Sequence, residues 1–182
     1  MQQTGRIAVT ADASANLFKA MHSLRTDQST TGRLVNADAP MDSDIEKYLR
    51  NIRDTEMPAM GNALALLPSI EFAQQNTLVP ELDRLFKTLT AEQKEFWDEV
   101  GKPKASRRLA LAKEYLETTA ALLQTLDKLS GALAAAVNHQ DATIDQLLAI
   151  KQTAWLLRNT AGEASLLVSK GLDAEAWRRK LA

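Results

Sequence analysis

A chain of 182 residues that is 45% hydrophobic and 25% charged can bury a core, which excludes a disordered or low-complexity protein. Its 22 basic and 23 acidic residues give a net charge of −1, so it lacks the broad positive field that nucleic-acid binding requires. The absence of cysteine excludes disulfides and thiolate metal sites. Because alanine and leucine are abundant, we expect one all-α domain over residues 1–182.

Apolar spacing predicts two helices in the first third of the chain. Three-to-four spacing from Leu17 to Val35 predicts a helix over about residues 10–36. Ser43 and Glu46 have the spacing of a capping box, which predicts a second helix from about Asp44. Kinks or breaks are expected in it at prolines 58 and 68.

The middle of the chain is less regular and precedes two long helical patterns. Residues 69–103 contain Pro80 and a second capping-box spacing at Thr90 and Gln93, which predicts short helices. Unbroken apolar patterns then predict long helices over residues 104–138 and from about residue 143 onward. The predicted apolar seam of the last helix comprises Leu147, Ile150, Ala154, Leu157, Ala161, Ala164 and Val168.

Four long helices joined by short turns predict an elongated up-down-up-down four-helix bundle, with extra short helices between the second and third long helices. Both termini of such a bundle lie at one end. No apolar run reaches the roughly 20 residues that cross a bilayer, and the first residues lack a signal-peptide pattern. This stretch of chain is therefore expected to be water-soluble.

Motifs for catalysis are missing from the sequence. The only histidines, His22 and His139, belong to no Glu-x-x-His pair of the kind that builds metal sites in helical bundles. Gly-rich phosphate loops and serine nucleophile motifs are absent. We expect no catalytic residue, no metal and no cofactor, and hence a protein that is not an enzyme.

The stretch "SLRTDQSTTGR", residues 23–33, breaks the apolar pattern of the first helix by placing Gln28 and Thr31 on its inner seam. Each would cost about 1 to 3 kcal/mol if it were buried without a partner. Two interpretations remain open: a polar pin that sets the register of a helix seam or dimer interface, or the lining of a binding pocket. His22, Arg25 and Ser29 lie on the neighbouring stripe.

The last helix carries a matching stripe of Lys151, Trp155, Arg158 and Gly162. In the predicted bundle Arg25 and Arg158 lie about 20 and 22 residues from the terminal end, so they have similar heights on neighbouring helices. Two adjacent guanidinium groups repel each other unless an anion lies between them. We therefore expect a small anionic ligand, either an organic acid or an inorganic oxyanion. The expected binding residues are His22, Arg25, Gln28, Ser29, Trp155 and Arg158.

The segments "MHSLRTDQSTTGRLV" and "IKQTAWLLRNTAGEASLLVSKGL" resemble the first and last helices of the helical extracytoplasmic sensor domains of methyl-accepting chemotaxis receptors. Related sensor kinases and nucleotide cyclases share these domains. The resemblance covers about a quarter of the chain by motif and is strongest at Lys151, Trp155, Arg158, Ala161 and Gly162.

This resemblance implies a periplasmic sensor domain that forms a homodimer, binds a small molecule and lies between two transmembrane helices of a longer receptor. It also implies that the Leu24-Arg25 step contacts the ligand. Many relatives have Glu-Arg where this sequence has Asp27-Gln28, so a nitrate-type sensor is only one option. The alternative is a helical scaffold or partner-binding bundle without a small ligand, in which Gln28 and Thr31 only set register.

Overall fold

The computed structural model describes the backbone of residues 2–39, 41–137 and 142–181, and the side chains of residues 5–39, 41–137 and 146–168. All regular structure in these ranges is helical, which confirms the predicted all-α class. The five helices are α1 (Gln2–Asn36), α2 (Ser43–Leu66), α3 (Gln75–Val100), α4 (Ala110–Val137) and α5 (Ala142–Leu181). Short 3-10 helices lie at Leu67–Ser69 and Lys104–Ser106.

Internal contacts divide the chain into two compact units. The N-terminal unit, Met1–Val137, contains α1 to α4, and the C-terminal unit, Asn138–Ala182, contains α5. The single domain and the four-helix bundle expected for the whole chain stay predictions. Within the described residues, no helix has both the length and the apolarity that a membrane span needs.

The N-terminal unit has a core to which all four of its helices contribute. Helix α1 packs against α2 and α4, and α3 packs mainly against α4. Helix α1 and helix α2 each also contact α3. The largest fully buried apolar side chains of the core are Leu17, Met21, Leu24, Leu49, Met60, Leu67, Leu82, Leu89, Phe96, Leu111 and Leu122.

Helix α2 begins with a different cap from the one predicted. Asp42 is the N-cap: its backbone is extended, and its Oδ1 accepts a 2.9 Å hydrogen bond from the amide of Asp44. The predicted Ser43 and Glu46 capping box is wrong, since Ser43 is already helical and Glu46 pairs with Arg50. A carboxylate at this position satisfies a free amide and also faces the positive end of the helix.

Residues 69–103, expected to form short helices, instead contain the 26-residue helix α3. Pro80 lies only five residues after its start, and the helix continues because buried leucines follow at three-to-four spacing. The predicted cap at Thr90 is also wrong: its hydroxyl donates 2.8 Å to the carbonyl of Phe86 within the helix. Pro58 likewise lies inside α2, whereas Pro68 follows the end of α2 as predicted.

Arg107 explains why α4 begins at Ala110 rather than at Lys104. Its buried guanidinium donates hydrogen bonds of 2.8 to 3.4 Å to five backbone carbonyls. These carbonyls lie at the C-terminal ends of two helices: Leu34 and Val35 in the last turn of α1 with Ala37 just after it, and Val100 at the end of α3 with Lys102 just after it. The backbone of Arg107 is extended to reach them, which is incompatible with a helix at that residue.

The predicted apolar seam of α5 is exposed. Leu147, Ile150, Leu157 and Val168 are 62 to 73% exposed, whereas Trp155 is buried. Among residues 146–168 of α5, those that are not exposed are Leu148, Lys151, Trp155, Arg158, Asn159, Gly162 and Leu166. The least exposed face of residues 146–168 is therefore the mixed polar stripe, and the prediction that the purely apolar seam is buried is wrong.

Candidate functional site

The N-terminal unit contains a buried cluster of polar side chains, hereafter the polar core, at the point where its four helices meet. Asp27 of α1 lies at the centre and is fully buried. The other members are Thr31 of α1, Arg53 and Glu56 of α2, Gln93 of α3 and Tyr115 of α4.

Four donors from four helices converge on the Asp27 carboxylate. Its Oδ1 accepts from Arg53 Nε at 3.1 Å and from the Thr31 hydroxyl at 2.8 Å. Its Oδ2 accepts from Gln93 Nε2 at 3.2 Å and from the hydroxyl of Tyr115. Each oxygen of this buried carboxylate therefore accepts two hydrogen bonds, so its acceptor capacity is well satisfied.

Arg53 provides the positive charge that balances Asp27. Besides its bond to Asp27, its Nη2 donates to the Thr31 hydroxyl at 2.8 Å and to the Tyr115 hydroxyl at 3.4 Å. The guanidinium also lies 4.5 Å from the ring centre of Phe96 and 5.1 Å from that of Trp97. Buried cations are favoured by such ring faces. Its Nη1 has no hydrogen-bond partner among the described residues.

Glu56 brings a second carboxyl group into the same interior. Its Oε1 accepts a 2.8 Å hydrogen bond from Gln93 Nε2, while its buried Oε2 has no partner within the described part of the chain. Burial raises the pKa of Glu56 well above its usual value, the negative charge of Asp27 raises it further, and Arg53 only partly opposes them. Glu56 therefore keeps its proton to a higher pH in the folded protein than an exposed glutamate does.

Tyr115 is held in its neutral form for the same reasons. Burial raises the pKa of its hydroxyl well above the usual value, and the negative charge of Asp27 adds to this effect. The hydroxyl therefore remains a hydrogen-bond donor to Asp27 and can accept from Gln93 Nε2, which lies 3.3 Å away. This ties α4 to α1 and α3.

The two polar side chains that break the seam of α1 are indeed buried, and protein atoms satisfy them. Thr31 bonds to Asp27 and Arg53, as described above. Gln28 Nε2 donates to the Thr119 hydroxyl of α4 at 3.0 Å, and Gln28 Oε1 accepts a long 3.5 Å bond from Arg25 Nη1. Their burial therefore requires no ligand, which favours the interpretation as a polar pin in a helix seam.

The candidate binding residues of α1 share one face outside this seam. His22 and Ser29 are exposed and Arg25 is half-buried. The Ser29 hydroxyl donates a 3.1 Å hydrogen bond to the carbonyl of Thr26. Its oxygen can still accept a hydrogen bond, and its side chain can adopt another rotamer. Arg25 is held near this face by its bond to Gln28.

The candidate binding residues of α5 also share one face. Trp155 is buried, and Lys151 and Arg158 are half-buried one turn away on either side. Burial lowers the pKa of Lys151. Whether the α1 and α5 residues serve one ligand stays a prediction.

Metal ligands do not cluster in the part of the chain that the structure describes: no group of three or more histidine, cysteine, aspartate or glutamate side chains comes together there. The exposed carboxyl group of Glu114 forms an ion pair with Arg108. His139 lies outside the described residues.

Sequence reasoning did not identify the polar core, because for α2 and α3 it considered only capping spacings, prolines and apolar residues. A signal was present, however. Arg53 and Glu56 fall between Leu49 and Met60 at three-to-four spacing, which is the spacing of a buried seam. Gln93 likewise lies between Leu89 and Phe96, and Tyr115 between Leu111 and Leu122.

No family model matches the sequence, and comparisons with curated proteins and with solved structures find no significant similarity. The fold and the buried cluster therefore define a class only: an all-helical protein whose N-terminal unit is organised around an ionic interior.

Proposed function

We propose that the protein is an extracytoplasmic small-molecule-sensing domain of a transmembrane chemotaxis or signal-transduction receptor. The segments around Arg25 and Arg158 resemble the first and last helices of such sensor domains, and those domains are all-helical, as are the described elements of this protein. In this proposal the domain acts in the periplasm, and flanking transmembrane helices of the full-length receptor carry its signal. In this proposal two copies of the domain form a dimer.

The main support for this proposal is the position of the Arg25 guanidinium at the edge of the core. Gln28 is anchored in the interior by Thr119 and in turn holds the guanidinium of Arg25, which places a cation at the edge of the core instead of free in solvent. The exposed side chains of His22 and Ser29 lie one turn to either side. A guanidinium, an imidazole and a hydroxyl on one face together suit a small oxyanion.

The mixed polar stripe of α5 carries a second set of candidate contacts for an anion. Lys151 and Arg158 are two cations that are half-buried beside the buried ring of Trp155. Half-buried cations lose hydration, and an anion that binds to them recovers part of that loss. The expected ligand is an organic acid or an inorganic oxyanion, and its binding would signal by favouring one of two helix arrangements.

A thermal-shift screen tests this proposal directly. Screening the purified protein against organic acids and inorganic oxyanions should reveal at least one that raises the melting temperature, since a ligand that binds only the folded state stabilises it. Arg25→Ala and Arg158→Ala should each reduce the shift by at least half, with the unliganded melting temperature little changed.

Arg84→Ala is the matched control, because Arg84 is an exposed arginine of α3 that pairs with Glu81. This variant should retain the full ligand-induced shift. A shift that survives both Arg25→Ala and Arg158→Ala would place the anion elsewhere, and a screen without any stabilising anion would contradict the proposed ligand class.

A scaffold or partner-binding bundle without a small ligand is the second candidate. It is favoured by the hydrogen bonds that Thr31 and Gln28 form with protein atoms and by the exposed apolar side chains of α5, such as Leu147 and Leu157. The coding sequence around this segment separates the two candidates. Apolar spans of about 20 residues on both sides support the receptor, and their absence supports the scaffold.

A further inference from the structure

The polar core contains two acidic side chains and one basic side chain. Two carboxyl groups, those of Asp27 and Glu56, are fully buried together with one guanidinium, that of Arg53. A buried site of this kind would carry a net negative charge if both acids were ionised, and a low-dielectric interior disfavours this strongly. A single proton on one of the acids makes the cluster neutral.

The two acids differ in their hydrogen bonding. Asp27 accepts from Arg53, Thr31, Gln93 and Tyr115, so both of its oxygens are occupied as acceptors. Glu56 accepts a bond only at Oε1, and its Oε2 faces the interior without a partner in the described residues. The free oxygen of Glu56 is therefore the position for a proton.

We propose that the polar core is a proton-dependent latch, in which Glu56 is a neutral acid at physiological pH and its ionisation in alkali loosens the packing of α1, α2 and α3. The groups that face Glu56 are Asp27 from α1, Arg53 from its own helix, Gln93 from α3 and Tyr115 from α4. Only Arg53 can compensate a new negative charge, and it is already bonded to Asp27.

The direction of the effect follows from linkage. Burial and the charge of Asp27 raise the pKa of Glu56 in the folded protein above the value near 4.3 that a glutamate has in an unfolded chain. Below that unfolded value both states hold the proton and the stabilisation is fully present. As the pH rises from there towards the folded pKa, only the unfolded state releases its proton, so stability falls. The latch is therefore strongest in mild acid and weakest in alkali.

The pH dependence of thermal unfolding tests this proposal, with Glu56→Gln as the decisive variant. Between about pH 5 and the folded pKa, the melting temperature of the wild-type protein should fall by about 3 to 5 °C for each pH unit, since the unfolded chain binds fewer protons. The Glu56→Gln variant keeps the oxygen that accepts from Gln93 but cannot ionise. Its melting temperature should lack this slope and should exceed that of the wild type in alkali.

Glu117→Gln is the control, because Glu117 is an exposed carboxyl of α4 with 65% of its side chain accessible. This variant should keep the slope of the wild type. Equal slopes in the wild-type and Glu56→Gln proteins would overturn the proposal.

A second measurement needs no variant that perturbs the fold. In wild-type protein labelled with carboxyl-13C glutamate, at least one glutamate carbon should keep the chemical shift of a protonated acid at neutral pH and change it only in alkali. The absence of any such resonance would overturn the proposal, even if Glu56→Gln did not fold. Where that variant folds, the loss of the resonance in its spectrum assigns it to Glu56.

Discussion

Replacing Arg53 with alanine should lower the free energy of unfolding of the N-terminal unit by about 3 to 5 kcal/mol. The guanidinium is buried, bonds to Asp27 at 3.1 Å and lies over the ring of Phe96. Its removal leaves the Asp27 carboxylate in the interior without a counter-charge, and burying an uncompensated charge is more costly than losing any single hydrogen bond. Chemical denaturation followed by circular dichroism measures the loss.

Arg50→Ala is the matched control for Arg53→Ala, because Arg50 lies one turn earlier on the same helix. It pairs with Glu46 and stacks on Trp97, with its guanidinium carbon 4.0 Å from the ring centre, but half of its side chain is exposed. Its removal should cost about 1 kcal/mol or less, since solvent screens exposed ion pairs. Equal losses from the two substitutions would show that the interior charge pair contributes no more than a surface pair.

A double-mutant cycle separates the charge pair from the lost packing. Asp27→Asn and Arg53→Met should each destabilise the unit, whereas the double variant should be more stable than the sum of the two losses predicts, by about 1 to 3 kcal/mol. Additive losses would mean that the two side chains act independently, in contradiction to their direct bond.

Removing the Arg107 side chain should have the second-largest effect, a loss of about 2 to 4 kcal/mol in the free energy of unfolding. One guanidinium serves the carbonyl ends of α1 and α3 at once, with its shortest bonds to Lys102 and Ala37 at 2.8 and 2.9 Å. Arg107→Ala deprives both helix ends of these donors and of a cation at their negative poles. Urea denaturation measures the loss, and amide hydrogen exchange should quicken at both helix ends.

Arg107→Lys tests whether the stability contributed by Arg107 depends on the planar shape of its guanidinium or only on its positive charge. A lysine keeps the positive charge but lacks the planar fork that reaches carbonyls on two sides, so it should recover less than half of the lost stability. Arg108→Ala is a second control: its neighbouring guanidinium is more exposed and pairs with Glu95 and Glu114, so the loss should be smaller. If lysine recovered all of the lost stability, the contribution of Arg107 to stability would be purely electrostatic.

Part of the site was accessible to sequence reasoning because polar residues at seam positions are conspicuous in a strongly periodic helix. Gln28 and Thr31 were singled out for that reason, and both are buried. The partners of these residues were not accessible, because Arg53 is 22 residues from Thr31 and Thr119 is 91 residues from Gln28. Helical periodicity places a residue on a face of its own helix but does not say which distant residue faces it.

Capping patterns were less informative than periodicity. The Ser43 and Glu46 spacing identified the right turn but the wrong residue, since Asp42 competes for the same amides. At Thr90 the same kind of pattern lies inside α3, where burial of Leu85, Leu89 and Phe96 keeps the helix continuous. Short polar motifs are weak signals because packing of a long apolar face contributes more to helix stability.

The sequence by itself determined the helical class and most of the long helices, because alanine, leucine and three-to-four apolar spacing act locally along the chain. Only the tertiary structure decided that Asp27, Arg53 and Glu56 share one interior and that Arg107 joins the ends of two helices. The spacing along α2 places Arg53 and Glu56 on a buried seam, but it does not identify the groups that compensate their charges. Their burial is favourable only once partners from other helices are in place, and those partners are distant in the sequence.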